Sequence, residues 1–205
     1  MNKPKILTEP SYTFSQYATL PYRTADILAD LGYTFERSRQ PLQIPRSSTP
    51  HAIDELKRIL DRNLRRISAV TETSKREAII APILVEVCEA VDSSLDIEYP
   101  INAGPLLKGT LDYLIDKNRQ LLVTEAKQAD LDKGFTQLAV ELIALDLWRE
   151  PEGESLFGAV TTGESWRFGR YDRALKRVVQ DSVLYRVPEG LETLVQLLVG
   201  ILEAA

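Results

Sequence analysis

Cysteine and histidine are almost missing from this chain: 205 residues hold one of each, Cys88 and His51. A single thiol excludes an intramolecular disulfide framework and a Cys-rich zinc site. A single imidazole excludes a multi-histidine metal centre. Long apolar runs are absent as well. No stretch approaches the ~18 residues a spanning helix needs, and the opening MNKPKILTEPSYTF has no apolar signal core. The expectation is a cytoplasmic protein that makes no membrane contact. No glycine-rich phosphate loop occurs, nor any repeat or low-complexity tract. Charge of one sign is lacking too: Lys and Arg number 25 against 30 Asp and Glu, a net −5. A non-specific DNA coater is basic overall, so any nucleic-acid contact has to be local. Carboxylates, lysines and hydroxyls are what remain for chemistry.

The charge is unevenly spread. Residues 1–80 carry 13 basic and 9 acidic side chains, and residues 81–205 carry 12 and 21. Basic residues gather at Lys57, Arg58, Arg62, Arg65 and Arg66, and again at Arg167, Arg170, Arg173, Lys176 and Arg177. Residues 1–50 read as an extension packed on the domain, with a short helix near Arg23–Leu31. Pro41, Pro45 and Pro50 then disfavour helix. Apolar spacing predicts a helix over 51–70, with Ile53, Leu56, Ile59, Leu60, Leu64 and Ile67 on one stripe. A second helix follows over 73–91, kinked or started by Pro82. The period then shifts to strands at 95–99, 106–115 and 120–127, a helix at 132–148, and strands at 156–162 and 165–171. A further strand at 183–187 and a helix at 191–202 close the chain. The predicted class is α/β, a mixed sheet with helices on its faces, forming one domain over 51–205.

The segment from Gly109 to Gln128 carries the chemistry. Strand side chains alternate, so Glu125 and Lys127 share a face. Centring the hairpin between Asn118 and Arg119 makes paired residue numbers sum to 237, which sets Asp112 opposite Glu125. Directly paired Cβ atoms lie about 4.5–5.5 Å apart. Two carboxylates that close repel unless a proton or a cation intervenes. Mg²⁺ favours oxygen ligands and keeps waters for a phosphate substrate. Asp112, Glu125 and the Ala126 carbonyl would hold the ion, and Lys127 would orient water or stabilise charge developing on phosphorus. A register slip of one residue would part the two acids.

The pattern of Asp112, twelve residues, then Glu125-Ala126-Lys127 resembles the PD-(D/E)xK nuclease superfamily, over roughly residues 72–171. Leu111 stands where that superfamily commonly has proline. The resemblance implies a restriction endonuclease-like αβββαβ core, Mg²⁺ or Mn²⁺ as cofactor and DNA as substrate. It also implies a polar residue on the helix after the Glu-x-Lys strand, which Gln137 matches, and in many members an acid on the first helix. Glu72, Glu77 and Glu86 are the candidates for that acid. Taking about 100° per residue, Glu77 lies about 60° from the stripe centred on Ile80 and Glu86 about 120°, which favours Glu77.

Other features have plainer readings. Cys88 packs as a small apolar residue, and His51 is exposed at a helix start. The Lys57–Arg66 cations form a solvated helix face. Trp166, Phe168 and Tyr171 pack on the sheet, Gly163 is a turn residue, and helix glutamines such as Gln137 are commonly on the surface. The leading expectation is a Mg²⁺-dependent DNA endonuclease, a homodimer if both strands of a duplex are cut. The alternative is a non-catalytic interaction module that keeps the nuclease fold as a scaffold.

Overall fold

The computed structural model describes residues 5–48, 53–68, 71–117, 120–126, 130–149 and 153–204, with the backbone alone for 120–126. His51 lies outside them. The described strands are β1 (Thr34–Arg37), β2 (Leu95–Asn102), β3 (Lys108–Lys117), β4 (Gln120–Ala126), β5 (Ser155–Thr161), β6 (Ser165–Asp172), β7 (Arg177–Gln180) and β8 (Tyr185–Arg186). They form one mixed sheet in the order β1-β7-β6-β5-β4-β3-β2, with β8 paired to β6. β4 runs parallel to β5, and β1 parallel to β7. Around the sheet lie α1 (Phe14–Tyr17), α2 (Thr24–Asp30), α3 (Ile53–Arg66), α4 (Glu72–Lys75), α5 (Ala81–Val91), α6 (Leu131–Arg149) and α7 (Leu191–Glu203). None of the described helices is long and apolar enough to cross a membrane.

Both faces of the sheet are apolar, and both are covered. One core joins α3, α5 and α7 to Tyr113, Ile115, Ala159, Trp166 and Phe168. The other joins α1, α2 and α6 to Leu111, Leu114, Leu156, Val160, Tyr171 and Val178. The helix α6 is buried at every position from Gly134 to Leu145. A crossover between the parallel strands β4 and β5 demands such a helix, since two parallel neighbours cannot be joined by a tight turn. The α/β class with a mixed sheet flanked by helices is therefore what the chain adopts. Trp166 is fully buried and its indole N–H donates to the Gly163 carbonyl at 2.9 Å. Cys88 is buried, and desolvation pushes its thiol up to about 11, which leaves it an unreactive packing residue.

Pro82 is absorbed without breaking the helical path. Residues Arg76–Ile80 form a π-helical turn between α4 and α5, and Pro82 falls in the first turn of α5. Proline has no N–H for the carbonyl four residues back. That carbonyl belongs to Ala78, and the side-chain amide of Asn63 on α3 donates to it at 3.1 Å. The α3 stripe is shorter than its spacing suggests. Leu56 and Leu60 are buried, but Leu64 is 44% and Ile67 37% exposed. The end of α3 overhangs a cavity of about 600 Å³ that Leu64 lines with Val187 and Leu191.

Two strands escaped the sequence pattern. β1 and β7 are four residues each, too short for alternation to stand out. The strand expected at 183–187 reduces to the two residues of β8. Since β1 is an edge of the main sheet, residues 34–37 are part of the same hydrogen-bonded ladder as the rest. Beyond β1, the chain crosses the molecule as an extended strap. The Ser38 N–H donates to the Gln180 carbonyl, Leu42 N–H to Asp181 Oδ1, and Ser47 N–H to the Gln196 carbonyl of α7.

Asp181 holds that strap while also accepting from the Val183 N–H at 3.1 Å. It is buried, and burial raises its carboxyl above the ordinary range, against the pull of those backbone donors and of Arg167. An acid whose folded pKa is raised contributes most below the unfolded value, and that contribution is lost as pH rises through the folded one. Asparagine keeps the acceptor and has no charge to bury. Asp181→Asn is therefore expected to gain on the wild type between pH 4 and pH 7. Asp181→Leu, which orphans two partly buried N–H groups, should cost about 1 kcal/mol. Urea unfolding at the two pH values measures both.

Candidate functional site

The β3–β4 ladder has the register anticipated from the turn. Tyr113 pairs with Thr124, Leu114 with Val123, and Lys117 with Gln120. The ladder ends at Tyr113 and Thr124, so Asp112 and Glu125 are each the next residue beyond the last pair on their strands. On its other side, Glu125 pairs with Val160 of β5, and Ala126 with Thr161. The Glu125 side chain and the whole of Lys127 lie outside the described residues.

Asp112 occupies an irregular point in the sheet. The β2–β3 ladder keeps one register, with Ile97 opposite Tyr113 and Tyr99 opposite Leu111, but the intervening pair of Glu98 and Asp112 is missing. Glu98 has φ of 55°, in the left-handed region that non-glycine residues seldom enter. Side-chain alternation changes hands here. Leu95 and Tyr113 border one core, whereas Tyr99, Ile101 and Leu111 belong to the other. Strain of this kind concentrates at working sites.

Around this point the π-helical turn brings Arg76. Its guanidinium is 3.6 Å from the Asp112 carboxylate and 3.8 Å from that of Glu98. Its Nε donates to the Tyr113 hydroxyl at 3.4 Å, and its carbon lies 5.2 Å from the Tyr113 ring centre. Burial works against the Arg76 charge, but Tyr113, Asp112 and Glu98 outweigh it and hold the guanidinium above its usual value. Burial also raises the Tyr113 hydroxyl; Arg76 opposes the rise, and Asp112 and Glu77 add to it. Glu77 thus borders this cluster and is exposed. Glu72 lies in α4 and Glu86 in α5, both half-buried.

Gln137 is buried rather than on the surface, at 4% exposure, and donates from Nε2 to Glu141 Oε1 at 2.9 Å. Burial of α6 on all sides from Gly134 to Leu145, which a reading of periodicity alone misses, is the reason. The arginines at 167–177 are engaged with carboxylates: Arg167 with Asp132, Arg170 and Arg177 with Asp172, and Arg173 with Asp146. Arg58 and Arg65 of the first basic run pair with Glu55 and Asp61 on α3 itself.

Sequence reasoning missed Arg76 and Glu98. The signal for Glu98 was present in Asn102-Ala-Gly104-Pro105, a turn that fixes the β2–β3 register and sets residue 98 opposite 112. Arg76 had no comparable signal, because the π-helical turn shifts it off the ordinary helical wheel. Among the described side chains no three His, Cys, Asp or Glu converge on one metal position; Glu125 is not in that set. Compared with known proteins, the sequence matches no family model and no curated protein.

Proposed function

We propose that this chain is a divalent-metal-dependent nuclease that hydrolyses DNA phosphodiester bonds at Asp112, Glu125 and Lys127, on a restriction endonuclease-like core. The observation that carries the reading is the register. The last pair of the ladder, Tyr113 with Thr124, adjoins Asp112 on one strand and Glu125 on the other, and a lysine follows Glu125 two residues later. The element order α5-β2-β3-β4-α6-β5 supports the αβββαβ core. The donor set is all oxygen and suits Mg²⁺ or Mn²⁺. The Arg76 guanidinium beside Asp112 marks this as a carboxylate that takes a positive partner.

Asp112, Glu125 and the Ala126 carbonyl would hold the ion, which when bound supplies polarisation of a phosphodiester oxygen and a more acidic water. Lys127 would orient the attacking water and offset charge gathering on the phosphorus oxygens. Gln137, locked by Glu141, would steady the polar wall next to β4. Glu77, at the rim beside Tyr113, would hold an outer water. Cutting both strands of a duplex would bring two such centres together in a homodimer.

The test is plasmid cleavage with Mg²⁺ or Mn²⁺ by the wild type, Asp112→Ala and Lys127→Ala. Activity in the wild type alone supports the reading, and equal activity in all three overturns it. A second reading, a scaffold that keeps the fold without turnover, is favoured by the same ion pair, since Arg76 already offsets the Asp112 charge. Calorimetric titration with Mn²⁺ separates the two, because a scaffold binds no ion through Asp112.

A further inference from the structure

Arg76 sits where a cation is wanted, yet its carboxylate contacts are loose. Charge-assisted N–H···O bonds close to about 2.7–2.9 Å, whereas Arg76 stands 3.6 Å from Asp112 and 3.8 Å from Glu98. Its firmer attachment is to Tyr113, through the ring face and the hydroxyl. Tyr113 is itself 2% exposed and packed in the core. The guanidinium is thus mounted on a fixed aromatic platform and leans toward two acids without locking onto either. It also starts the π-helical turn, opposite the one pair missing from the β2–β3 ladder.

We infer that Arg76 is a working residue of the proposed site, an inference that rests on the nuclease reading. In the metal-free protein it neutralises Asp112 and Glu98. With Asp112 holding a divalent ion, the guanidinium, still carried by Tyr113, would turn to a phosphate oxygen of the substrate. A planar fork of donors suits a phosphate better than an ammonium does. One charge serves two stages: it keeps the acids from repelling before metal arrives, and it receives the anion afterwards.

Two opposed effects follow from removing it. Arg76→Gln takes away a cation that competes for Asp112, so Mn²⁺ measured by calorimetry binds at least about threefold more tightly than to the wild type. The same variant binds a short DNA duplex at least about tenfold more weakly in Ca²⁺, which lets binding be read without turnover. Arg76→Lys keeps the charge and loses the fork, so its Mn²⁺ constant stays near the wild type while DNA binding still falls. This second variant keeps the test open should the glutamine variant fold poorly. A Mn²⁺ constant for Arg76→Gln no tighter than the wild type, or unchanged DNA affinity in both variants, overturns the role given to Arg76 and leaves the nuclease reading standing. Absence of Mn²⁺ binding in the wild type and Arg76→Gln alike overturns both. A purely structural arginine would weaken stability and would not tighten metal binding.

Discussion

Asp112→Asn should lower Mg²⁺-dependent DNA cleavage by at least about 10²-fold, a loss of about 2.7 kcal/mol of transition-state stabilisation. The substitution keeps shape and removes one negative charge from the pair that would hold the ion. It should leave the fold intact. The Arg76 contact it weakens is a partly exposed one at 3.6 Å, and such pairs contribute little to stability. Arg76 retains Tyr113 and Glu98 as partners. The thermal midpoint is therefore expected to stay within a few degrees, so lost activity can be assigned to the site. Glu89→Gln, at an exposed position of α5, serves as the control with full activity. Rates from single-turnover cleavage with Mg²⁺ in excess decide the matter.

The long elements were legible because their signals are local. The hairpin of β3 and β4 announced itself by a polar tetrapeptide between two apolar runs, and the register it implied is the register of the ladder. The helices α2, α3, α6 and α7 lie within a few residues of their expected bounds. What escaped was set by distant partners. β1 exists only because β7 offers it an edge, and β7 is itself a four-residue strand. Gln137 is buried because α6 is enclosed by the sheet on one side and by α1 and α2 on another, which no pattern within α6 could tell. Of the candidate site, the β3–β4 register that leads up to Asp112 and Glu125 was readable from the turn. The Arg76 guanidinium beside Asp112 was not, because it comes from a helical turn of unusual pitch.

The second large effect concerns a residue far from any chemistry. Gly200 lies on α7 directly under the strap, and a Cβ built there would stand 2.3 Å from the Pro45 carbonyl oxygen and 2.8 Å from the Arg46 Cα. Both are backbone atoms, so no side-chain rotation relieves the overlap. Alanine favours helix over glycine by about 1 kcal/mol. Here that gain is overridden, since overpacking costs about 1–3 kcal/mol and more when the obstacle cannot move. Gly200→Ala is expected to destabilise the protein by about 3 kcal/mol, measured by urea unfolding. The strap would lift from α7, giving up the bond from Ser47 to Gln196. Trypsin should then cut at Arg39 and Arg46 well before global unfolding.

The pairing of Thr34 with Arg177 joins positions 143 residues apart (177 − 34). A newly made polypeptide leaving the ribosome therefore holds β1 idle until the segment up to β7 has emerged. Closing so large a loop is entropically slow. Until it closes, β7 offers an unguarded rim of amides and carbonyls to any neighbouring chain. Crowded synthesis is thus a condition in which that rim meets other chains before β1 covers it.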